Sequence, residues 1–162
     1  MLSKLQDKLE QKNKSETSLD SNGTTNTNNS TPETCSEFDT MVKHKELLLK
    51  GVVFLKYGSW GEPGKRLVSV TNDFQLLEWR HLDQERPSGS VSVGNLLGIK
   101  FGRTTKVFKR RPPTRAGQDQ LSFTVVGDKR NLDLEAGSKE EMDQFLEGLV
   151  SLIKYLKRDQ LR

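Results

Sequence analysis

Residues 46–81 read ELLLKGVVFLKYGSWGEPGKRLVSVTNDFQLLEWRH, and the way their residue types are grouped points to antiparallel β structure. Glu46 to Tyr57 is long, apolar and β-branched in its middle, which predicts a first strand. Gly58 to Gly64 holds three glycines and a proline in seven residues and predicts a hairpin loop. Arg66 to Thr71 alternates and predicts a second strand. Asn72-Asp73 turns the chain, and Phe74 to His81 predicts a third strand. Further along, Leu82 to Gly89 is a polar loop, and Ser90 to Val93 and Leu96 to Phe101 predict two short strands around Gly94-Asn95. A long basic loop, Gly102 to Asp119, precedes a hairpin of Leu121–Val126 and Asn131–Leu134 around Gly127-Asp128. Seven strands at this spacing predict a small sandwich or a partly open barrel.

The C-terminal stretch is helical in pattern. Ser138 followed by Glu141 fits a capping box, in which the hydroxyl satisfies an orphan amide. Met142, Phe145, Leu146, Leu149, Leu152, Ile153 and Leu156 then form one apolar stripe at helical spacing. Such a stripe needs an apolar partner, and the open end of a strongly bent sheet supplies one. Upstream, residues 13–45 are dominated by Ser, Thr and Asn and predict a disordered polar linker. Leu2, Leu5 and Leu9 give residues 1–12 the pattern of a short amphipathic helix. The folded unit is expected to span 46–157, with 158–162 a tail.

Composition narrows the function. No apolar run approaches the ~20 residues that a membrane span needs. Cys35 is the single cysteine, and His44 and His81 are the only histidines. A disulfide framework within the chain is therefore excluded, and no metal site or cofactor is expected. No Ser/His/Asp or Cys/His set and no Gly-Lys-Ser/Thr phosphate loop appears, so a non-enzymatic module of the cytoplasm is expected. The net charge of +4 conceals an asymmetry: residues 1–40 carry 4 basic and 7 acidic groups, 41–115 carry 15 and 6, and 116–162 carry 7 and 9. Positive charge gathered in one stretch is the footprint of a module that meets something anionic.

Seven strands followed by one amphipathic helix is the plan of the pleckstrin homology (PH) domain. Leu49-Lys50-Gly51, Phe54-Leu55-Lys56, Ser59-Trp60, Lys65-Arg66, Trp79, the run Lys129 to Leu134 and Gly148 to Ile153 resemble the phospholipase C-delta type of that family. The resemblance implies a seven-stranded, partly open barrel capped by one helix, and an anionic phospholipid as ligand. Phe145 stands where the family usually carries a helix tryptophan. Lys56 is followed by Tyr57 and Gly58, so a basic residue that phosphoinositide binders place two positions on is missing. Phosphatidic acid thus stands beside a phosphoinositide as candidate headgroup. The architecture also resembles the acylated PH-domain proteins of apicomplexan parasites, which implies a peripheral membrane location such as the surface of a secretory organelle. Acylation would need Gly at position 2, where Leu2 stands.

On this reading the headgroup set is Lys56, Lys65, Arg66, Arg80 and Arg103. Lys56 and Arg66 flank a hairpin and can converge on one phosphate through charge-assisted bonds. Trp60, set between polar and glycine residues, either sits at the membrane interface or folds back on the barrel. Lys100 to Arg115 reads KFGRTTKVFKRRPPTR, with seven cations in sixteen residues. Its Lys106, Lys109, Arg110, Arg111 and Arg115 are expected to face an anionic leaflet, and Val107 and Phe108 to insert shallowly. The alternative is a protein–protein scaffold with no specific lipid ligand. Nucleic acid ranks last, because the basic loop lacks interleaved stacking aromatics. The expected state is a monomer.

Overall fold

A computed structural model describes residues 35–161. The expected helix at 1–12 and most of the expected linker lie outside the described residues. The chain begins with helix α1 (Cys35–Lys50), followed by β1 (Val52–Tyr57), β2 (Gly64–Val70), β3 (Leu76–Arg80), β4 (Gly89–Ser92) and β5 (Leu96–Phe101). A short helix α2 (Lys106–Lys109) precedes β6 (Ser122–Gly127), β7 (Asn131–Glu135) and helix α3 (Lys139–Gln160). The strands form one antiparallel sheet in the order β4-β3-β2-β1-β7-β6-β5, not closed between β4 and β5. Seven strands and a C-terminal helix agree with the expected plan.

The start of the domain differs from the expectation. Residues 35–45, read as linker, and 46–50, read as strand, form α1 instead. Leu48 is buried in the core and lies against Gly148 of α3. Gly51 has φ +82° and its amide donates to the Leu47 carbonyl at 2.8 Å, so it ends α1 in the left-handed conformation that favours glycine. A Cβ there would lie 2.8 Å from the Val68 carbonyl oxygen. Gly51 therefore turns the chain out of the helix and directly into β1. The apolar run 47–55 is shared between a helix and a strand, a division that periodicity in a short apolar run does not reveal.

The concave face of the sheet carries the core. Phe54, Val68, Val70, Leu77, Trp79, Phe123, Val125, Leu132 and Leu134 are buried together beneath α3. Phe145 of α3 fills the centre, its ring centroid 4.9 Å from that of Phe54, and Phe54 meets Phe123 at 5.4 Å; both pairs are edge-on. Edge-on aromatic pairs contribute about 0.5–1.5 kcal/mol each beyond the area they bury. The start of α3 is built as expected, with the Ser138 hydroxyl accepting from the Glu141 amide.

The convex face of β6 and β7 is buried as well. Ser122, Thr124, Asp133 and Glu135 point away from α3 yet are covered. The cover is the 102–119 segment, which was expected to be a basic loop facing an anionic leaflet. It folds back over the sheet, enters α2 through a Thr105 cap, and buries Phe108 completely.

Candidate anionic-ligand site

Two faces of the sheet meet at the β1–β2 hairpin. Phe54 and Lys56 lie on the concave face of β1. In the register Phe54 pairs with Arg66 and Lys56 with Gly64, so Lys56 and Arg66 are diagonal neighbours on that face. Gly64 has no side chain, and the Arg66 guanidinium occupies its place: a Cβ at Gly64 would fall 2.6 Å from Arg66 Nη1. Trp79, from β3, lies on the same face at the mouth of the barrel. Lys56 Nζ stands 5.6 Å from the centre of its ring, and the guanidinium of Arg130, from the β6–β7 turn, stands 5.2 Å from it. Two cations thus flank one buried indole, and Arg66 stands near Lys56. Burial holds the Lys56 ammonium below the ordinary lysine range, and the charges of Arg66 and Arg130 lower it further; Asp133 opposes them weakly. Among the described residues neither Lys56, Arg66 nor Arg130 is ion-paired to a carboxylate.

Beside this mouth, an open cleft of about 570 Å³ lies between the β1–β2 loop, residues 104–107 and the β6–β7 turn. Lys56, Lys100, Lys106 and Arg130 line it, with Ser59 at its edge and Asp133 as the one carboxylate. Asp133 is buried, and one of its oxygens accepts from the Thr105 hydroxyl at 2.6 Å and the Thr124 hydroxyl at 2.7 Å. The balance of the cleft is cationic, and Lys56 and Arg130 serve both mouth and cleft. Trp60, at the tip of the β1–β2 loop, is 93% exposed and does not fold back on the barrel.

Several residues expected at this site stand elsewhere. Arg103 is the clearest correction. Its side chain is 4% exposed and reaches Glu135 at 3.3 Å, the Ser122 hydroxyl at 3.1 Å and the Arg111 carbonyl, and its guanidinium stacks on Tyr57 and Phe108. Arg115, although largely exposed, also reaches Glu135, at 2.9 Å. Phe108 cannot insert into a leaflet, being 0% exposed against Tyr57 and Arg103. The physical reason is shared. Strand β7 carries a carboxylate on its convex face, and the 102–119 segment supplies the donors and the aromatic cover that make its burial tolerable. Glu135 accepts from the Tyr57 hydroxyl at 2.6 Å and from Gln118 at 2.8 Å. Burial by itself would raise its carboxyl. The bonds from Tyr57, Gln118 and Arg115, with the charge of Arg103, outweigh that and hold it below the ordinary range. The Tyr57 hydroxyl is raised by burial and by its bond to Glu135.

Arg80 pairs across from Leu67, on the opposite face to Trp79, and its guanidinium leans on the Glu85 carbonyl. Lys65 pairs across from Leu55 and likewise points to the convex side. Arg111 is engaged with the β1–β2 loop. Lys106, Lys109 and Arg110 are exposed, and Val107 lines the cleft with Lys106. The residue that sequence reading left out of the set is Arg130. Its signal was the pair Lys129-Arg130 just after the turn residues Gly127-Asp128, in a hairpin whose tip points the same way as the β1–β2 loop.

No known family profile matches the sequence. Solved structures do. The PH domain from TgAPH superposes with a TM-score of 0.50 at 17% identity, over 73% of this chain and 92% of that one. The PH domain of human TBC1 domain family member 2 gives 0.51 at 15% identity, over 67% of this chain and 82% of that one. L. pealei PLC21 gives 0.52 at 17% identity; the match covers 67% of this chain but only 16% of that much longer one. At such identities the likeness is one of fold, and it runs through the same open seven-stranded sheet and capping helix. The chain therefore has the fold of a pleckstrin homology domain.

Proposed function

We propose that this chain is a non-catalytic docking module that binds the phosphate headgroup of an anionic phospholipid and so recruits the protein to a membrane surface. The observation that carries this reading is the grouping of Lys56 with Arg66 and Arg130, the first and last of them on the Trp79 ring, continued by Lys100 and Lys106 along the cleft. Like charges held this close raise one another's free energy, and an incoming phosphate relieves that repulsion as well as forming charge-assisted bonds. Trp60 stands at the tip of the neighbouring loop, where an amphipathic ring suits headgroup depth. Exposed Lys109 and Arg110 add attraction to the leaflet of about 1 kcal/mol per residue. Among the described residues no helix is long and apolar enough to cross a membrane.

Phosphatidic acid and a phosphoinositide are the headgroups to separate. Co-sedimentation with phosphatidylcholine vesicles doped with phosphatidic acid, a phosphoinositide or phosphatidylserine makes the test. Preference for one phosphate-bearing lipid over phosphatidylserine supports a headgroup site. Equal binding to all three would leave only charge attraction, and binding to none would end the membrane reading and leave a protein partner for this surface.

A further inference from the structure

The β1–β2 loop that carries Trp60 is held from outside the hairpin. Arg111 donates through Nη2 to the Gly61 carbonyl at 2.6 Å and through Nη1 to Glu62 Oε2 at 2.7 Å. The two contacts fall on the residues directly after Trp60, and one guanidinium fork spans them. Arg111 is itself anchored. Its amide donates to the Phe108 carbonyl at 2.9 Å, and its carbonyl accepts two bonds from the Arg103 guanidinium. Arg103 in turn is fixed to buried Glu135 on β7. A continuous line of bonds therefore runs from the sheet through Arg103 and Arg111 to the loop tip.

We infer that Arg111 is a positioning residue, which locks the β1–β2 loop against the 102–119 segment and thereby sets the direction of Trp60 and the width of the cleft. In the free protein it is not another cation awaiting the leaflet. Its charge faces Glu62, whose carboxyl it holds below the ordinary range. Gly61, with φ +76° and open space around it, gives the loop no stiffness of its own. Without the fork, the loop is held at its base by the Lys56–Gly64 register and by the pairing of Tyr57 with Asp133 of β7.

The consequence for docking rests on the phospholipid reading; the lock itself does not. The decisive variant is Arg111→Lys, which keeps the charge but replaces a planar fork by a single ammonium that cannot hold both partners in that geometry. Lys109→Ala is the comparison, since it removes an exposed cation that no carboxylate among the described residues engages. Amide hydrogen exchange over residues 58–63 of the free protein reads the lock, and partition onto phosphatidylcholine vesicles doped with phosphatidic acid reads docking. Arg111→Lys is expected to speed exchange in the loop about tenfold while leaving β6 and β7 unchanged, and to weaken vesicle binding up to about fivefold, the range of one partly exposed charged pair. Lys109→Ala should leave loop exchange at the wild-type rate. If Arg111→Lys exchanges like wild type, there is no lock. If exchange accelerates but vesicle affinity holds, loop order plays no part in docking and the positioning role is lost. Should the wild-type protein bind no vesicle, the exchange measurement still judges the lock while the phospholipid reading fails.

Discussion

At the scale of single residues, the molecule separates cations that hold the fold from cations left to bind. Arg103 and Arg115 belong to the first kind, and Lys56, Arg66 and Arg130 to the second. Lys56 is lowered by burial and by its two guanidinium neighbours. Vesicle affinity should therefore begin to fall at a lower pH than an ordinary lysine, with its value of about 10.4, would dictate. Lys56→Arg should remove that decline, because a guanidinium stays charged throughout. Affinity that declines identically in both proteins would show that another group is titrating. Glu135 works in the opposite sense. Its folded-state pKa is lowered, so the stability it contributes is complete above the unfolded value of about 4.3 and drains away as pH falls through the folded one. Chemical denaturation between pH 7 and about pH 3 should show this loss, and Glu135→Ala should remove most of it. At neutral pH the same change should cost about 3 kcal/mol or more, since it leaves Arg103 buried without its counter-charge. None of this was legible in the order of residues. Seven cations in one segment look alike in a sequence, and burial, which decides their roles, depends on a carboxylate 32 positions away.

At the scale of elements, α1 is the part that sequence reading misplaced. Leu47, Leu48 and Leu49 run into Val52 and Val53, and an apolar run that crosses a helix–strand boundary shows neither period clearly. Only the left-handed backbone at Gly51 marks the boundary. Gly51→Ala should accordingly destabilise the domain by about 1–2 kcal/mol, from backbone strain and from the close approach to the Val68 carbonyl, as read by urea denaturation. An unchanged midpoint would mean that the turn relaxes freely. Leu48→Ala tests the docking of the helix. A core leucine lost to alanine costs about 2–5 kcal/mol, whereas a helix resting loosely on the sheet would lose well under 1 kcal/mol. By contrast, α3 was legible to its first residue, because a serine cap and a seven-residue apolar stripe are local signals. The strands were legible to within a residue or two at most ends, since glycine and proline mark the turns between them.

At the scale of the whole molecule, the basic rim is a product of topology. The end of β1 and the β6–β7 turn are far apart in the chain, yet antiparallel pairing of β1 with β7 brings them to one side, and the 102–119 segment folds back from the other end of β6 to join them. The double reversal Lys56→Glu with Arg130→Glu should abolish binding to anionic vesicles while leaving the melting temperature nearly unchanged, because neither residue pairs with a carboxylate in the described structure. Trp60→Ala should weaken binding and remove the blue shift of tryptophan emission expected on vesicle addition, Trp79 being already buried. Retained binding by the double reversal would move the docking surface elsewhere. The seven strands, the capped C-terminal helix and the excess of positive charge between residues 41 and 115 were determined by the sequence itself, since each rests on local chemistry: period-2 alternation, turn residues, a serine cap, a count of charges. Which of those charges bind and which are spent inside was decided only by the tertiary structure. A guanidinium's role depends on what lies within about 4 Å of it, and folding brings Glu135 to Arg103 but leaves Lys56 with Arg66 and Arg130 as its cationic neighbours beside Trp79.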